Sequence, residues 1–225
     1  MQPEQIQTYE RNCSVVFLKT NEPFGGLSNM AGGYPLRVAG KRILTSEALY
    51  QACRFPHRPD IQSLIIEQKS PMAAKMKSKP HRHDSRLDWE RVRIKIMRWC
   101  LQVKLAQNWR TFSELLLETG ERPIVEESWR DVFWGAKATD CGTLVGMNVL
   151  GRLLMELREN VKSGLIESLS SVQPLAIPDF LLGGQPIGVE VSPTREIQVE
   201  PVKAAITPGH RDVNHISYVQ FRLIE

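Results

Sequence analysis

Thr45-Ser46-Glu47-Ala48-Leu49-Tyr50-Gln51-Ala52-Cys53-Arg54-Phe55 divides into two faces when wound at about 100° per residue. Leu49, Ala52 and Cys53 fall on one side; Glu47, Tyr50, Gln51 and Arg54 fall together on the other. A face that only meets water favours Lys and Glu pairs and has little use for Tyr and Gln. A face lining a polar pocket uses this mixture: a carboxylate for proton transfer, an aromatic ring for stacking, an amide for hydrogen bonding, a cation for an anionic group. The competing reading of the segment taken alone is a helix whose polar side meets solvent, with Tyr50 half-buried.

Working outward, Val15-Val16-Phe17-Leu18 reads as a buried strand. Two turn-rich stretches, Pro23-Phe24-Gly25-Gly26 and Gly32-Gly33-Tyr34-Pro35, frame Leu27-Ser28-Asn29-Met30. Leu36 to Leu44 reads as a hairpin about Gly40-Lys41. Past the first helix, Asp60 to Glu67 is a second helix, and Ser70-Pro71 opens a third with Ser as N-cap and Pro at the first helical position. Asp88 caps a longer helix in which Trp89, Val92, Ile96, Trp99 and Val103 form a core stripe. Thr111-Phe112-Ser113-Glu114 reads as a capping box opening the next helix, with Gly120 as its stop. Pro123-Ile124-Val125-Glu126 is a candidate strand. A final helix carries Leu150, Leu153, Leu154, Leu157 and Val161 on one face and stops at Gly164. The expected fold is α+β and mainly helical: a compact multihelical domain over 12–165 with a small β-sheet or hairpin, plus a Pro-rich C-terminal extension over 166–225. In that extension six prolines from Pro174 to Pro208 interrupt any pattern. The segment is an extended wrap, a linker or partly disordered, and Val219, Phe221 and Leu223 suggest a docked terminal strand.

The chain of 225 residues is long enough for one domain with a substantial core. Its net charge of +4 is uneven, because residues 172–225 hold four Lys/Arg against six Asp/Glu. The main domain is thus mildly basic, which suits a phosphate-bearing substrate but is too weak to argue for nucleic acid by itself. Cys13, Cys53, Cys100 and Cys141 form no CxxC pair; with no apolar leader and no run of about 18 apolar residues, they read as reduced thiols of a cytoplasmic protein with no membrane span.

Asp131-Val132-Phe133-Trp134-Gly135 places an indole between a carboxylate and a residue that permits close backbone approach. Trp134 is free to stack on a flat ligand, or the two aromatics simply fill the core at a strand end. Gly142 to Gly151 surrounds Asn148 with three glycines before a helix whose N-terminus can hold an anion. It fits neither GxGxxG nor the P-loop, and a plain glycine-rich helix entry reads equally well. Lys104 borders the core stripe, where it snorkels, neutralises phosphate or serves as an amine nucleophile. His81 and His83 lack further ligands nearby and read as a solvated basic loop.

TSEALYQACRF, SPMAAKM, a Trp-led helix ending in Lys104, LLLETG, IVEES, DVFWG and NVLGRLLMELRE occur in one order and spacing over roughly residues 13–160. They resemble the NADAR superfamily, specifically the bacterial N-glycosidases linked to riboflavin biosynthesis. The resemblance implies hydrolysis of the N-glycosidic bond of early phosphoribosylamino-pyrimidine intermediates, releasing ribose 5-phosphate, as metabolite damage control. It leaves open an ADP-ribosyl hydrolase that removes ADP-ribose from guanine in nucleic acid; a non-catalytic ADP-ribose or nucleotide-binding module stands as a third alternative. No metal or organic cofactor is indicated for hydrolysis.

An oxocarbenium-like transition state needs a carboxylate for the growing positive charge and a second group for proton transfer. Glu47 is the first choice for acid/base work, and Asp131 the second carboxylate, for water positioning or charge stabilisation. Lys104 holds phosphate or ribose, or attacks a ring-opened sugar as a Schiff-base amine. Trp134, with Gly135 beside it, stacks on base or sugar. Asn148 hydrogen-bonds ribose, Arg54 and Lys75 contact phosphate, Tyr50 and Gln51 share the pocket face, and Ser28 and Asn29 match the family's SNF-like turn. Three positions depart from the family pattern: Ala48 replaces a frequent histidine, Arg54 replaces lysine and Met30 replaces phenylalanine. Arg54 keeps the charge but changes its geometry.

Overall fold

A computed structural model describes residues 5–164 and 170–191. In chain order its regular elements begin with β1 (Gln7–Glu10), β2 (Val15–Phe17) and a hairpin of β3 (Leu36–Val38) and β4 (Lys41–Ile43). The helices α1 (Ser46–Ala52), α2 (Pro59–Ile66), α3 (Pro71–Ser78), α4 (Trp89–Gln107) and α5 (Trp109–Glu118) follow. Then come β5 (Ile124–Glu126), β6 (Lys137–Ala138), β7 (Thr143–Gly146) and α6 (Val149–Lys162). The architecture is α+β and mainly helical, as the sequence pattern indicates.

The sheets are small. β1, β7 and β6 form an antiparallel sheet with β7 central, and β2 runs parallel to β5, pairing Val15 with Ile124 and Phe17 with Glu126. This pairing spans more than a hundred residues and fixes the strand that ends at Glu126. The β3–β4 turn places Ala39 and Gly40 at positive φ, the backbone of a two-residue hairpin turn.

α4 is the axis of the core. Ile96, Trp99, Cys100 and Val103 are fully buried along it, and helices α1, α5 and α6 pack against it. Burial of each such large apolar side chain contributes about 1.5–3 kcal/mol. Local entries are set by side chains. The Thr45 hydroxyl accepts from Ala48 N at the start of α1, and Ser70 accepts from Ala73 N at the start of α3, where Pro71 follows as read from sequence.

Two entries differ from expectation. α5 begins at Trp109 behind Asn108, not at the Thr111 capping box; the Thr111 hydroxyl instead donates to Asn108 O at 3.3 Å. Asp88 occupies the N-cap of α4 without bonding its amides, because its carboxylate is taken by Arg86 at 2.6 and 3.1 Å.

Residues 170–191 are a docked wrap. β8 (Ser171–Val172), β9 (Leu181–Leu182), β10 (Gln185–Pro186) and β11 (Glu190–Val191) make two short antiparallel pairs. Trp99 Nε1 donates to Gln173 O at 3.0 Å, and its ring meets Phe180 edge-on at 4.9 Å. Arg86 reaches Pro178 O, and Gln62 bonds both Leu181 O and Gly183 N. The suggested terminal strand at Val219–Leu223 lies outside the described residues. Among the described residues no helix is long and apolar enough to cross a membrane.

Candidate active site

α1 is buried on every side, including Glu47, Tyr50 and Gln51. Its polar face does not meet bulk water. It floors a cleft of about 480 Å³, within the size range of small-molecule sites.

Glu47 stands at the centre of that floor. Asn29 Nδ2 donates to Glu47 Oε2 at 2.7 Å, and Gln51 Nε2 donates to Glu47 Oε1 at 2.9 Å. On its other side Gln51 meets Ser78, whose hydroxyl lies 2.7 Å from Gln51 Oε1 and 2.8 Å from Lys75 O. Asn29 is carried to Glu47 by its own backbone, because Glu47 N donates to Asn29 O at 3.0 Å. Asn29 Oδ1 is buried without a hydrogen-bond partner, an acceptor left over beside the carboxylate.

One wall is aromatic. The Tyr50 ring lies 5.0 Å from Trp89 and 5.7 Å from Trp134. Burial, and then the Glu47 charge, push the Tyr50 hydroxyl well above its ordinary pKa, so it stays a neutral phenol. Cations gather along a second stretch of the lining, where Arg54, Lys75, Arg82 and Arg93 all face the cleft. Arg54 lies 5.0 Å over Trp89 and donates through Nε to Ser85 Oγ at 2.6 Å. Burial, then the like charge of Arg82, lower the Arg54 pKa. Glu90 on the same lining pairs with Arg93 at 2.9 Å, and an anion seated against Arg54 and Arg82 would relieve their mutual repulsion.

Besides Glu47, the lining carries the carboxyls of Glu90, Glu126, Glu127 and Asp131. Asp131 Oδ1 accepts from Phe133 N at 3.0 Å and Trp134 N at 2.9 Å, a turn that sets the Trp134 ring. The Glu126 carboxyl is pushed up to about 7 by burial and by the charges of Asp131 and Glu47, against the opposing pull of Lys75.

Of the residues marked from sequence, Asn29, Glu47, Tyr50, Gln51, Arg54, Lys75, Asp131 and Trp134 share this one cleft. Lys104 does not. It is fully buried behind the cleft, donating to Gly26 O at 2.6 Å and Ser28 O at 3.2 Å, with the Tyr34 and Phe112 rings 4.3 and 4.2 Å away. Burial lowers its pKa to about 7. With its amine bonded to the loop that carries Asn29, Lys104 stands outside the cleft lining, where neither the phosphate contact nor the nucleophile expected from sequence would sit. Ser28 likewise turns inward, its hydroxyl accepting from Met30 N at 3.1 Å.

Asn148 also lies behind the site. It is fully buried at φ +48°, donating through Nδ2 to Ile124 O at 2.8 Å and accepting at Oδ1 from Glu126 N at 3.1 Å. It therefore holds Glu126, not a ribose. Nor is the N-terminus of α6 an anion site. The amides of Met147, Asn148, Val149 and Leu150 donate to the carbonyls of Val132, Gly135, Phe133 and Trp134. The helix start is consumed in fixing the turn that presents Trp134. Gly135 is buried rather than lining: a Cβ there would stand 2.5 Å from Glu126 O.

Sequence reasoning missed Glu126, Trp89, Arg82 and Arg93. Glu126 read only as the end of a strand and Trp89 only as core; Arg82 and Arg93 carry no local motif. Among the described residues no His, Cys, Asp or Glu group could hold a metal ion, and His81 and His83 lie beside Asp84 instead.

Carboxylates, cations and aromatic rings thus surround one cleft of a mainly helical α+β domain. The NADAR domain matches residues 16–162, and the chain belongs to that family. It is 34% identical over 161 residues to N-glycosidase YbiA of Escherichia coli (strain K12), covering 70% of this chain and 94% of that protein. It is 31% identical to N-glycosidase Npun_R5314 of Nostoc punctiforme over 67% of this chain and 94% of that protein. It is 31% identical to riboflavin biosynthesis protein VVA0006 of Vibrio vulnificus over 71% of this chain but 42% of that protein. The NMR structure of E. coli YbiA superposes with a TM-score of 0.57 at 30% identity, covering 74% of this chain and 96% of that one. Residues 170–191 fall beyond the family match.

Proposed function

We propose that this NADAR chain is an N-glycosidase, a hydrolase that cuts the bond between ribose C1′ and an amine nitrogen. The substrates proposed are the early phosphoribosylamino-pyrimidine intermediates of riboflavin biosynthesis. The names of its relatives, N-glycosidase and riboflavin biosynthesis protein, support that choice. The observation that carries it is Glu47, a carboxylate clamped by two amides on the floor of a cleft lined by cations and aromatic rings.

Positive charge grows on the sugar as the C1′–N bond breaks. A carboxylate whose two oxygens are fixed by N–H donors is preorganised to face that charge and needs no reorganisation at the moment of reaction. Tyr50, Trp89 and Trp134 offer ring faces and edges to a pyrimidine. Arg54, Arg82 and Lys75 take the 5-phosphate, and the second oxygen of Asp131 orients the water. The products are ribose 5-phosphate and a free aminopyrimidine. Removing such reactive intermediates in the cytoplasm is metabolite damage control.

The test is a side-by-side turnover assay with the phosphoribosylamino-pyrimidines and with ADP-ribosyl-guanosine. Release of ribose 5-phosphate from the former at the higher kcat/KM is the expected result. Preference for the latter transfers the site to removal of ADP-ribose from guanine in nucleic acid. Binding of either without turnover makes the chain a ligand-binding module.

A further inference from the structure

Five carboxyls line the cleft, and their hydrogen bonding differs; Glu90 is paired with Arg93 at 2.9 Å and Glu127 with Arg11 at 2.7 Å, which leaves Glu47, Asp131 and Glu126. Both oxygens of Glu47 accept from amide N–H groups, those of Asn29 and Gln51. Each Glu47 oxygen thus faces one N–H donor, the setting of a hydrogen-bond acceptor. Asp131 is exposed, with one oxygen tied to two backbone amides. Glu126 differs from both. Its backbone is rigidly placed, with the amide on Asn148 Oδ1 and the carbonyl accepting from Ala136 N at 2.8 Å. Among the described residues, however, its carboxyl makes no hydrogen bond or ion pair.

The charges around Glu126 come from several elements. Glu47 on α1 and Asp131 in the turn after β5 are negative, and Lys75 on α3 is the positive group that opposes them. Its neighbour Glu127 is paired with Arg11 at 2.7 Å, while β2 contributes only Val15, Val16 and Phe17. Two nearby carboxylates and no donor leave the protonated form the better tenant of this position.

We propose that Glu126 is the proton donor of the cleft, passing its carboxyl proton to the departing nitrogen while Glu47 remains an acceptor facing the sugar. The assignment rests on the N-glycosidase reading above. As the C1′–N bond breaks, its electron pair stays on nitrogen and takes the Glu126 proton. Water adds its oxygen to C1′ and releases a proton through Asp131 to solvent, and Glu126 is reprotonated from solvent. One water is consumed and no electrons are exchanged. Glu126, Glu47 and Asp131 then hold distinct duties of acid, charge stabiliser and water guide.

The experiment compares two leaving groups. On a phosphoribosylamino-pyrimidine the departing amine needs a proton; on 4-nitrophenyl riboside 5-phosphate the phenolate does not. Glu126→Gln is expected to lose about 10²–10⁴-fold in kcat on the amine substrate, the usual weight of general acid catalysis, and less than about 10-fold on the nitrophenyl substrate. Glu47→Gln is expected to lose activity on both. Wild-type kcat/KM should fall above a pH near 7, and Glu126→Asp should retain such a limb while Glu126→Gln flattens it. Unchanged affinity for ribose 5-phosphate confirms that the Gln variant keeps its cleft. Equal losses on both substrates, or no loss on the amine, overturn the acid assignment while leaving the enzyme an N-glycosidase. A wild-type protein that cleaves neither substrate overturns the N-glycosidase reading and this proposal together.

Discussion

Asn148 and Glu126 are bound to one another through the main chain: the Asn148 amide donates to Ile124 O and accepts from Glu126 N, closing a bracket around β5 from the start of α6. The bracket requires Asn148 to stand at φ +48°, a conformation that Asn tolerates better than most residues. Replacement by Ala forfeits both bonds, leaves buried backbone groups unpaired and keeps the backbone strain. Asn148→Ala is expected to cost about 2–4 kcal/mol in urea unfolding and to lower kcat more than it raises KM. A loss under about 0.5 kcal/mol would remove this bracket from the account.

Glu126 makes stability depend on pH in a stated direction. Its folded pKa of about 7 lies above the 4.5 of a free glutamate, so between those values the native state holds a proton that the unfolded chain has lost. Stability from this group is complete below 4.5 and is lost as pH rises through about 7. Glu126→Gln cannot ionise and should therefore gain on the wild type across that window by on the order of 2 kcal/mol. Unfolding midpoints at pH 5 and pH 8 measure it; a pH-independent difference between the two proteins contradicts it.

The polar face of α1 was legible in the sequence because a short helix fixes its own side-chain directions, and Glu47, Tyr50 and Gln51 do floor the cleft, with Arg54 just past the helix end. Lys104 and Asn148 were misplaced for a shared reason. Each carries polar groups suited to a ligand, and only the fold shows that those groups are satisfied by carbonyls and amides of segments far away in the chain. Glu126 escaped notice because its environment is made by Glu47 and Asp131, separated from each other by more than eighty residues. Periodicity recognises α4 and α6, but it carries no information on which carboxyls will face each other. The wrap over Trp99 was equally hidden, since its prolines conceal the apolar residues Phe180, Leu182 and Ile187 that dock it.

Lys104 supports the loop that carries Asn29. Lys104→Met removes two hydrogen bonds and leaves buried carbonyls unpaired, and is expected to destabilise the protein by about 2–4 kcal/mol. Borohydride reduction during turnover should trap no sugar on Lys104, which mass spectrometry of the peptide reads directly. A stable adduct at this lysine would return it to the reacting centre.

The cation wall predicts a separation of binding from chemistry. Arg54→Ala and Arg82→Ala should each raise KM for a 5-phosphorylated substrate by about 10–100-fold, the worth of a hydrogen bond to a charged group. The same changes should alter KM for the unphosphorylated riboside by less than about 3-fold. Parallel losses on both substrates would mean that these arginines do not read the phosphate.

The most direct measurement is release of ribose 5-phosphate from a phosphoribosylamino-pyrimidine by purified wild-type protein and by Glu47→Gln, each shown to be folded. The account expects one ribose 5-phosphate per aminopyrimidine from the wild type and at least about a 10²-fold lower kcat from the variant, as for loss of a preorganised electrostatic group. Undiminished release by Glu47→Gln would contradict it.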